Sequence, residues 1–228
     1  MPSQPRILLC GDTGISVEFG DSIDPEINSR VRKLFTQFRA KNPSGILDLN
    51  PTYRSLFIQY DPFVCSFERL SQIVEECIES GDSSEPRTSS IKEVPVCYGG
   101  EFGPDLEEVA AHHVLDIEEV IQLHCIPLYQ VYMIGFTPGF AYLGGLDERL
   151  HTPRKNEPRK KVLAGSIGIA DQQTGIYPID SPGGWQLIGR TPLRVFDPDR
   201  ETPFLIQAGD FVRFRPITEM EFEKHPGR

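Results

Sequence analysis

The sequence lacks long apolar runs and is poor in cysteine, and each scarcity excludes a class of protein. No segment approaches the roughly 18 to 20 apolar residues that a bilayer span requires, and the N-terminal MPSQPRILLC is too short for a signal peptide. Five cysteines form no C-x-x-C pair, and their odd number leaves one unpaired in any disulfide scheme. We therefore expect a cytoplasmic protein with reduced thiols and no membrane association.

Motifs for metal, nucleotide or nucleic-acid binding are also missing. His112, His113 and His124 lack the spacings of zinc sites, and neither G-x-x-x-x-G-K-[ST] nor a strand-linked G-x-G-x-x-G occurs. The formal charge is −10, from 23 basic and 33 acidic side chains, which argues against a broad surface for nucleic acid or anionic lipid. We expect no metal and no nucleic-acid partner.

The 228 residues suffice for one large domain or two small ones, and the composition favours two. Residues 82–91, DSSEPRTSSI, combine serine, proline and charge without periodicity, as a linker does. We predict an α+β protein with an N-terminal α/β domain over 1–81, this linker, and a second domain over 92–228.

The N-terminal segment alternates strands and helices. Asp24 and Pro25 form a cap and first-turn signal for one helix, and Ser66 opens another. Strands are predicted at RILL (6–9), ISVEF (15–19), ILDL (46–49) and SLFIQY (55–60). This order predicts a compact sheet with helices on one side.

The C-terminal segment is dominated by strands and turns. After a strand at 91–98, short helices begin near Asp105 and Asp116, and Glu119 completes a capping-box pattern with Asp116. Further strands are predicted at 128–136, 162–170, 175–180, 193–197, 204–207 and 210–217, followed by a last helical turn. Their spacing favours a closed barrel or a sandwich.

A local basic run stands out in this acidic chain. Residues 154–161, RKNEPRKK, hold five positive charges and one negative. A solvated basic face explains such a run, and so does an anion site between two glycine-rich segments. Arg154 and Arg159 are better candidates than the lysines, because a guanidinium grips carboxylate or phosphate through two parallel hydrogen bonds.

Two glycine-rich segments flank the basic run. GFTPGFAYLGG (135–145) serves either as a barrel rim or as a loop that exposes backbone N–H donors beside aromatic walls. SPGGWQLIGRTP (181–192) places the single tryptophan, Trp185, between two glycines and Arg190, as a core residue or as a stacking wall with a cation behind it. In VLAGSIGIA (162–170), Leu163 is expected to share a packed face with Ile167 and Ile169, while Ser166 faces away as a hydrogen-bonding group and not a nucleophile.

Four segments together resemble the 5-oxoprolinase B-subunit family, also called KipI-like or allophanate hydrolase subunit 1. They are VPVCYGGEFGPDLEEVAAHH, YMIGFTPGFAYLGGLDERLHTPR, AGSIGIADQQTGIYP and SPGGWQLIGRTP, in this order and spacing. The resemblance is strong over about residues 94–217 and covers the N-terminal part by layout only. It implies a small N-terminal α/β domain followed by a cyclophilin-like β-barrel.

The resemblance also implies an activity and partners. The chain would be one component of an ATP-dependent enzyme that opens 5-oxoproline to L-glutamate, acting with the related C subunit, which has a similar barrel, and with the separate A subunit. ATP would be a co-substrate of the complex, and the ligand a small anionic amide. For such a ligand, the residues singled out above lead us to predict a binding site of Arg154, Arg159, Arg190, Ser166, Tyr142, Tyr177 and Trp185, with backbone contributions from Gly135, Gly139, Gly144, Gly183 and Gly184.

Two other functions are compatible with the same residues. Members of this family also resemble an inhibitor of a sensor histidine kinase, in which Trp185 and the arginines would anchor a protein interface. The chain would alternatively be a scaffold in a complex of the urea carboxylase or allophanate hydrolase type, with the catalytic groups on another polypeptide.

Overall fold

The computed structural model describes residues 4–80 and 90–226, and the chain divides into two compact units, Met1–Thr88 and Ser89–Arg228. Of the predicted linker, residues 82–89 lie outside the described residues, as does Gly81, and Ile91 already begins a strand. The fold is mixed α/β with a closed barrel in the second unit. The exact domain boundaries and the cyclophilin-like arrangement stay predictions.

The first unit is a four-stranded antiparallel sheet with two helices. Its elements are β1 (Arg6–Leu9), β2 (Gly14–Glu18), α1 (Pro25–Lys41), β3 (Ile46–Pro51), β4 (Ser55–Tyr60) and α2 (Phe67–Glu79), and the strand order is β1-β2-β4-β3. The Asp24 side chain accepts hydrogen bonds from the N–H groups of Glu26 and Ile27, so the predicted cap begins α1. Alternate residues of the central strands and one stripe of each helix are buried together, as their periodicity predicts.

The second unit closes seven strands into a barrel. Its helices are α3 (Leu106–His113), α4 (Ile117–Cys125), a 3-10 turn (Glu148–Leu150) and α5 (Glu219–Glu223). Its strands are β5 (Ile91–Tyr98), β6 (Tyr129–Ile134), β7 (Ala141–Gly144), β8 (Arg159–Val162), β9 (Ser166–Ala170), β10 (Gln173–Ile176), β11 (Ser181–Gly183), β12 (Gln186–Arg190) and β13 (Phe211–Pro216). The barrel order is β10-β7-β6-β13-β5-β12-β9, and β8 pairs with β11 in a separate two-stranded sheet.

The core of the barrel unit explains why it closes. Fully buried aliphatic side chains from several strands, with Val96 on β5, Val131 on β6 and Ile167 on β9 among them, form one cluster with residues of α3 and α4. Asp116 and Glu119 make the predicted capping box at the start of α4. Of the two architectures that the strand spacing allowed, the structure has the barrel.

Three local predictions were wrong. Segments 193–197 and 204–207 form no regular strands and meet only through an isolated bridge between Phe196 and Phe204. The strand predicted at 175–180 is shifted, since β10 covers Gln173–Ile176. The end of GFTPGFAYLGG is strand β7, as its interpretation as a barrel rim allows. Leu163 lies outside β9 and is 43% exposed, because a turn separates β8 from β9 where one continuous strand was expected.

Among the residues that the structure describes, no helix is both long and apolar enough to cross a membrane.

Candidate functional site

Aromatic side chains surround a cavity of about 260 Å³ in the barrel unit, which we call the aromatic cavity. Its volume lies just below the roughly 300 to 1,000 Å³ of pockets for drug-sized ligands, so it suits a smaller molecule. It is lined by Phe136, Phe140, Tyr142, Arg154, Pro158, Tyr177, Pro182, Gly183, Gly184 and Trp185. Six of these were predicted from the sequence: Arg154, Tyr142, Tyr177, Trp185, Gly183 and Gly184.

Several short elements bring the rings together. Tyr142 belongs to β7, Tyr177 directly follows β10, and Trp185 directly precedes β12. Phe140, which is 1% exposed, lies at the centre, with its ring centroid 4.7 Å from that of Tyr142, 5.1 Å from Tyr177 and 5.3 Å from Trp185. The interplanar angles of 57° to 89° are the tilted and edge-to-face arrangements that aromatic quadrupoles favour.

Gly183 allows Tyr177 to reach its position. A Cβ atom at Gly183 would collide with the Tyr177 hydroxyl, so Gly183 serves close approach. Burial raises the pKa of Tyr177 to about 12, although a hydrogen bond from the Trp185 backbone and the charge of Arg154 act in the opposite direction. Burial likewise raises the pKa of Tyr142. Both phenols are therefore neutral at physiological pH, and a neutral phenol can donate a hydrogen bond to a ligand.

Arg154 supplies positive charge at the aromatic cavity. Its guanidinium lies 5.9 Å from the centre of the Trp185 ring, within cation–π range. Its ion pair with Asp171 is 3.6 Å long, and both side chains are more than half exposed, so the pair contributes little stability. The guanidinium is therefore available to an anionic ligand.

Arg159 is placed differently, although it belongs to the same basic run. Its Nη2 lies 2.6 Å from Oδ1 of Asp105, whose side chain is 4% exposed, and Lys155 Nζ lies 3.1 Å from the same oxygen. Asp105 Oδ2 accepts the Leu187 backbone N–H at 2.6 Å. This Asp105 anchor ties α3 and the basic run to β12, and Arg159 does not line the aromatic cavity.

Arg190 and Ser166 also lie away from the lining. Arg190 Nε donates to the Ala164 carbonyl at 2.9 Å, and its guanidinium lies 6.0 Å from the ring of Phe222. Ser166, 4% exposed, is paired in register with Arg190. Its carbonyl accepts the N–H of Tyr177 at 2.9 Å, so Ser166 is linked to the cavity through the backbone. The predicted three-arginine clamp is therefore not assembled, and only Arg154 reaches the cavity.

The glycines of 135–145 shape the segment that carries Phe136 and Phe140. Gly135 N–H is bonded to the Phe140 carbonyl at 3.1 Å, and Phe140 N–H to the Thr137 carbonyl at 3.0 Å. Gly139 has φ of +85° and lies against Phe196, while Gly144 lies against the Tyr132 ring. The N–H groups of Gly135 and Phe140 are therefore not available to a ligand. The segment contributes aromatic rings to the cavity instead.

Phe136 and Phe140 are lining residues that the sequence prediction did not include. Both belong to GFTPGFAYLGG, so the signal was the aromatic content of that segment. A second cavity of about 500 Å³ shares Arg154 and has Glu108, His112, Lys155 and Gln186 among its lining residues. Within 4–80 and 90–226, no three His, Cys, Asp or Glu side chains are grouped to hold a metal ion.

The chain matches a known family of domains over most of its length. Residues 5–206 match the family model described as carboxyltransferase domain, subdomain C and D. A crystal structure of TTHA0988 superposes with a TM-score of 0.81 at 40% identity, covering 90% of this chain, which spans only 40% of that chain. The urea amidolyase of Saccharomyces cerevisiae is 24% identical over 96% of this chain and 14% of its own length.

More similar relatives have about the length of this chain. The B subunit of the Bacillus subtilis 5-oxoprolinase is 42% identical over 96% of this chain and 96% of its own length. Its Haemophilus influenzae counterpart is 49% identical over 71% and 72%. The chain therefore belongs to the 5-oxoprolinase B-subunit family.

Proposed function

We propose that this chain is the B subunit of an ATP-dependent 5-oxoprolinase that opens 5-oxoproline to L-glutamate together with the C and A subunits. The relatives of matching length support this assignment. The structural observation that carries it is the convergence of Arg154 and the rings of Tyr142, Tyr177 and Trp185 on one small cavity. In this proposal the protein works in the cytoplasm and its barrel is cyclophilin-like.

The chemistry of 5-oxoproline fits the aromatic cavity. The molecule is a five-membered lactam ring that carries one carboxylate. A guanidinium binds a carboxylate through charge-assisted hydrogen bonds, and aromatic walls contact the ring faces. Neutral Tyr142 and Tyr177 hydroxyls are suited to donate to the lactam carbonyl. Urea is uncharged and offers Arg154 no carboxylate to bind, so the cavity favours the lactam acid.

The role of this chain is to bind and position the substrate. In the overall reaction water adds to the lactam carbonyl carbon, the ring C–N bond breaks, and the nitrogen takes up a proton. An amide carbonyl is a poor electrophile, and coupling to ATP overcomes this by activating the carbonyl oxygen. Arg154 would hold the carboxylate while the walls restrict the ring, which lowers the entropic cost of reaching the reactive geometry.

Reconstitution with the A and C subunits tests the assignment. Glutamate and phosphate release from 5-oxoproline is measured with each of the three polypeptides omitted in turn, and omission of this chain should abolish both products. Arg154→Ala should lower kcat/KM by about 100-fold to 1,000-fold, the usual effect of removing a critical electrostatic contact, while the complex still assembles.

The control variant is Arg213→Ala, since Arg213 on β13 is exposed and does not line the aromatic cavity. It should retain wild-type turnover. Unchanged turnover in Arg154→Ala, or undiminished product without this chain, would refute the proposal. Inhibition of a histidine kinase by the isolated chain, without turnover in any assembly, would instead support the regulatory alternative.

A further inference from the structure

Phe136 combines exposure with a constrained backbone at the mouth of the aromatic cavity. Its side chain lines the cavity and is 65% exposed, whereas the three other phenylalanine and tyrosine residues of the lining are more buried. An aromatic ring left in water forgoes most of the stabilisation that burial would give it. A bound ligand would restore that burial.

The backbone at Phe136 is in a conformation that disfavours a bulky residue. Its φ is +68°, and the Thr137 N–H donates to the Gly135 carbonyl at 2.8 Å. An i to i+2 hydrogen bond with positive φ defines a γ-turn of the rare, strained kind. Such strain costs of order 1–3 kcal/mol and persists only where the surroundings impose it. Glycine would adopt this turn without strain, so a phenylalanine here carries a conformational cost.

The surroundings of Phe136 fix where its ring lies. The ring contacts the buried Phe140 edge-to-face, with centroids 5.7 Å apart, and Phe140 contacts Tyr142, Tyr177 and Trp185 in turn. The following Gly139 is packed against Phe196, which holds the base of the loop in place. Phe136 is therefore the outermost ring of the cluster, held at the cavity rather than free in solvent.

Resting on the function proposed above, we propose that Phe136 determines specificity: its ring contacts the carbon skeleton of a bound cyclic amide and completes the wall on the solvent side. Arg154 selects for negative charge, and Phe136 selects for a compact ring. The ligand class is thus a small cyclic amide bearing a carboxylate, in preference to an open-chain amide of the same charge.

The single tryptophan of the chain, Trp185, provides a readout that does not depend on turnover. Its fluorescence is titrated with 5-oxoproline in the isolated chain, and KM and kcat are measured in the assembled enzyme. Phe136→Ala should weaken binding and raise KM about tenfold or more, the loss expected for one aromatic contact. Phe136→Leu should keep most of the affinity, because it retains apolar bulk.

Further variants and ligands separate the ring from the turn. Phe136→Gly removes the ring and also relieves the strain of the positive φ. If the ring determines affinity, this variant should bind 5-oxoproline as weakly as Phe136→Ala does. Preference for 5-oxoproline over glutamine, an open-chain amide, should shrink in both. The control is Phe63→Ala, since Phe63 is 98% exposed and lies outside the cavity lining.

The outcomes distinguish this inference from the proposed function. If 5-oxoproline binds the wild-type chain and binds Phe136→Ala more weakly, but no assembly with the A and C subunits turns it over, the enzyme assignment is overturned and the Phe136 contact is supported. Wild-type turnover with unchanged KM, affinity and ring preference in Phe136→Ala and Phe136→Gly would overturn the Phe136 inference alone. Loss of complex formation at unchanged affinity would show that Phe136 is an interface residue, which also overturns it.

Discussion

Two clusters in the described part of the barrel unit, each combining aromatic rings with a basic side chain, differ in their access to solvent. The aromatic cavity is open, and its basic group is the half-exposed Arg154. The other, which we call the His124 cluster, is sealed: His124 is 0% exposed and stacks on Phe214 with ring centroids 4.5 Å apart. Tyr98, Tyr129 and Thr174 complete it.

Hydrogen bonding in the His124 cluster is complete with a neutral imidazole. The Thr174 hydroxyl donates to the Gly168 carbonyl at 3.0 Å, so it accepts the proton of His124 Nε2 at 2.9 Å. The Tyr98 hydroxyl then donates to Nδ1 at 2.7 Å. Burial lowers the pKa of His124 to about 3, which keeps the ring uncharged.

The comparison shows what turns such a cluster into a ligand site. Rings and a basic group are present in both, but only the aromatic cavity has a permanently charged group, space beside it and a polar edge open to solvent. The His124 cluster has used its hydrogen-bonding capacity internally. We therefore expect the sealed cluster to govern stability and the open one to govern binding.

The largest effect on stability is expected at the sealed cluster. His124→Ala would leave a void and remove the imidazole to which the Tyr98 and Thr174 hydroxyls bond, and should lower the free energy of unfolding by about 3–5 kcal/mol. Arg154→Ala should change it by less than about 0.5 kcal/mol, because its ion pair is exposed. Urea unfolding of both variants measures this contrast. Equal destabilisation by the two would contradict the division of roles.

A second prediction compares the contributions of two residues of the basic run, Arg159 and Lys161, to stability. Arg159→Gln leaves the buried Asp105 carboxylate with Lys155 and one backbone donor, and should cost about 1–3 kcal/mol. Lys161→Gln is the control, since its ion pair with Asp180 is exposed on both sides and should contribute under about 1 kcal/mol. Urea unfolding measures both. If Arg159→Gln instead kept full stability and lost ligand affinity, Arg159 would belong to the binding site.

A third prediction concerns pH. The unfolded chain protonates His124 near its ordinary pKa of 6.5, whereas the folded chain does so only near 3. The unfolded state therefore binds more protons in this interval. The contribution of His124 to stability is complete above pH 6.5 and declines by about 1.4 kcal/mol per unit as the pH falls toward 3.

Urea unfolding between pH 7 and pH 4 measures that slope in the wild type and in His124→Gln. The glutamine variant should show the smaller decline, because its side chain does not titrate. Parallel curves would show that His124 is not the group responsible.

Much of the fold could be predicted from local signals, and the failures have a common cause. The caps at Asp24, Ser66 and Asp116 are local hydrogen bonds that the sequence encodes directly, and the structure has all three. The segments 193–197 and 204–207 have apolar residues but only one bridge, because regular strands need long-range partners that composition does not specify.

The candidate site was predictable to a similar extent. Aromatic and glycine residues could be predicted because unusual local composition marks them. Five of the predicted ones line one cavity together with Arg154. Arg154 and Arg159 could not be told apart, since only the position of the buried Asp105, 54 residues from Arg159, decides which charge is consumed internally. Phe136 belongs to an aromatic segment that the sequence marks, but the positive φ of its turn is not visible in sequence.

The parallel pairing of β5 with β13 has a consequence for how the protein is made. Phe211 lies opposite Ile91 in this pair, so one seam of the barrel joins positions 120 residues apart. A ribosome must release almost the whole second unit before that seam can form. Until then β5 and β6 lack β13 as their neighbour and present unpaired backbone groups. We therefore expect barrel closure to be a slow, late step of folding. During this step the nascent chain is most exposed to aggregation and to chaperones.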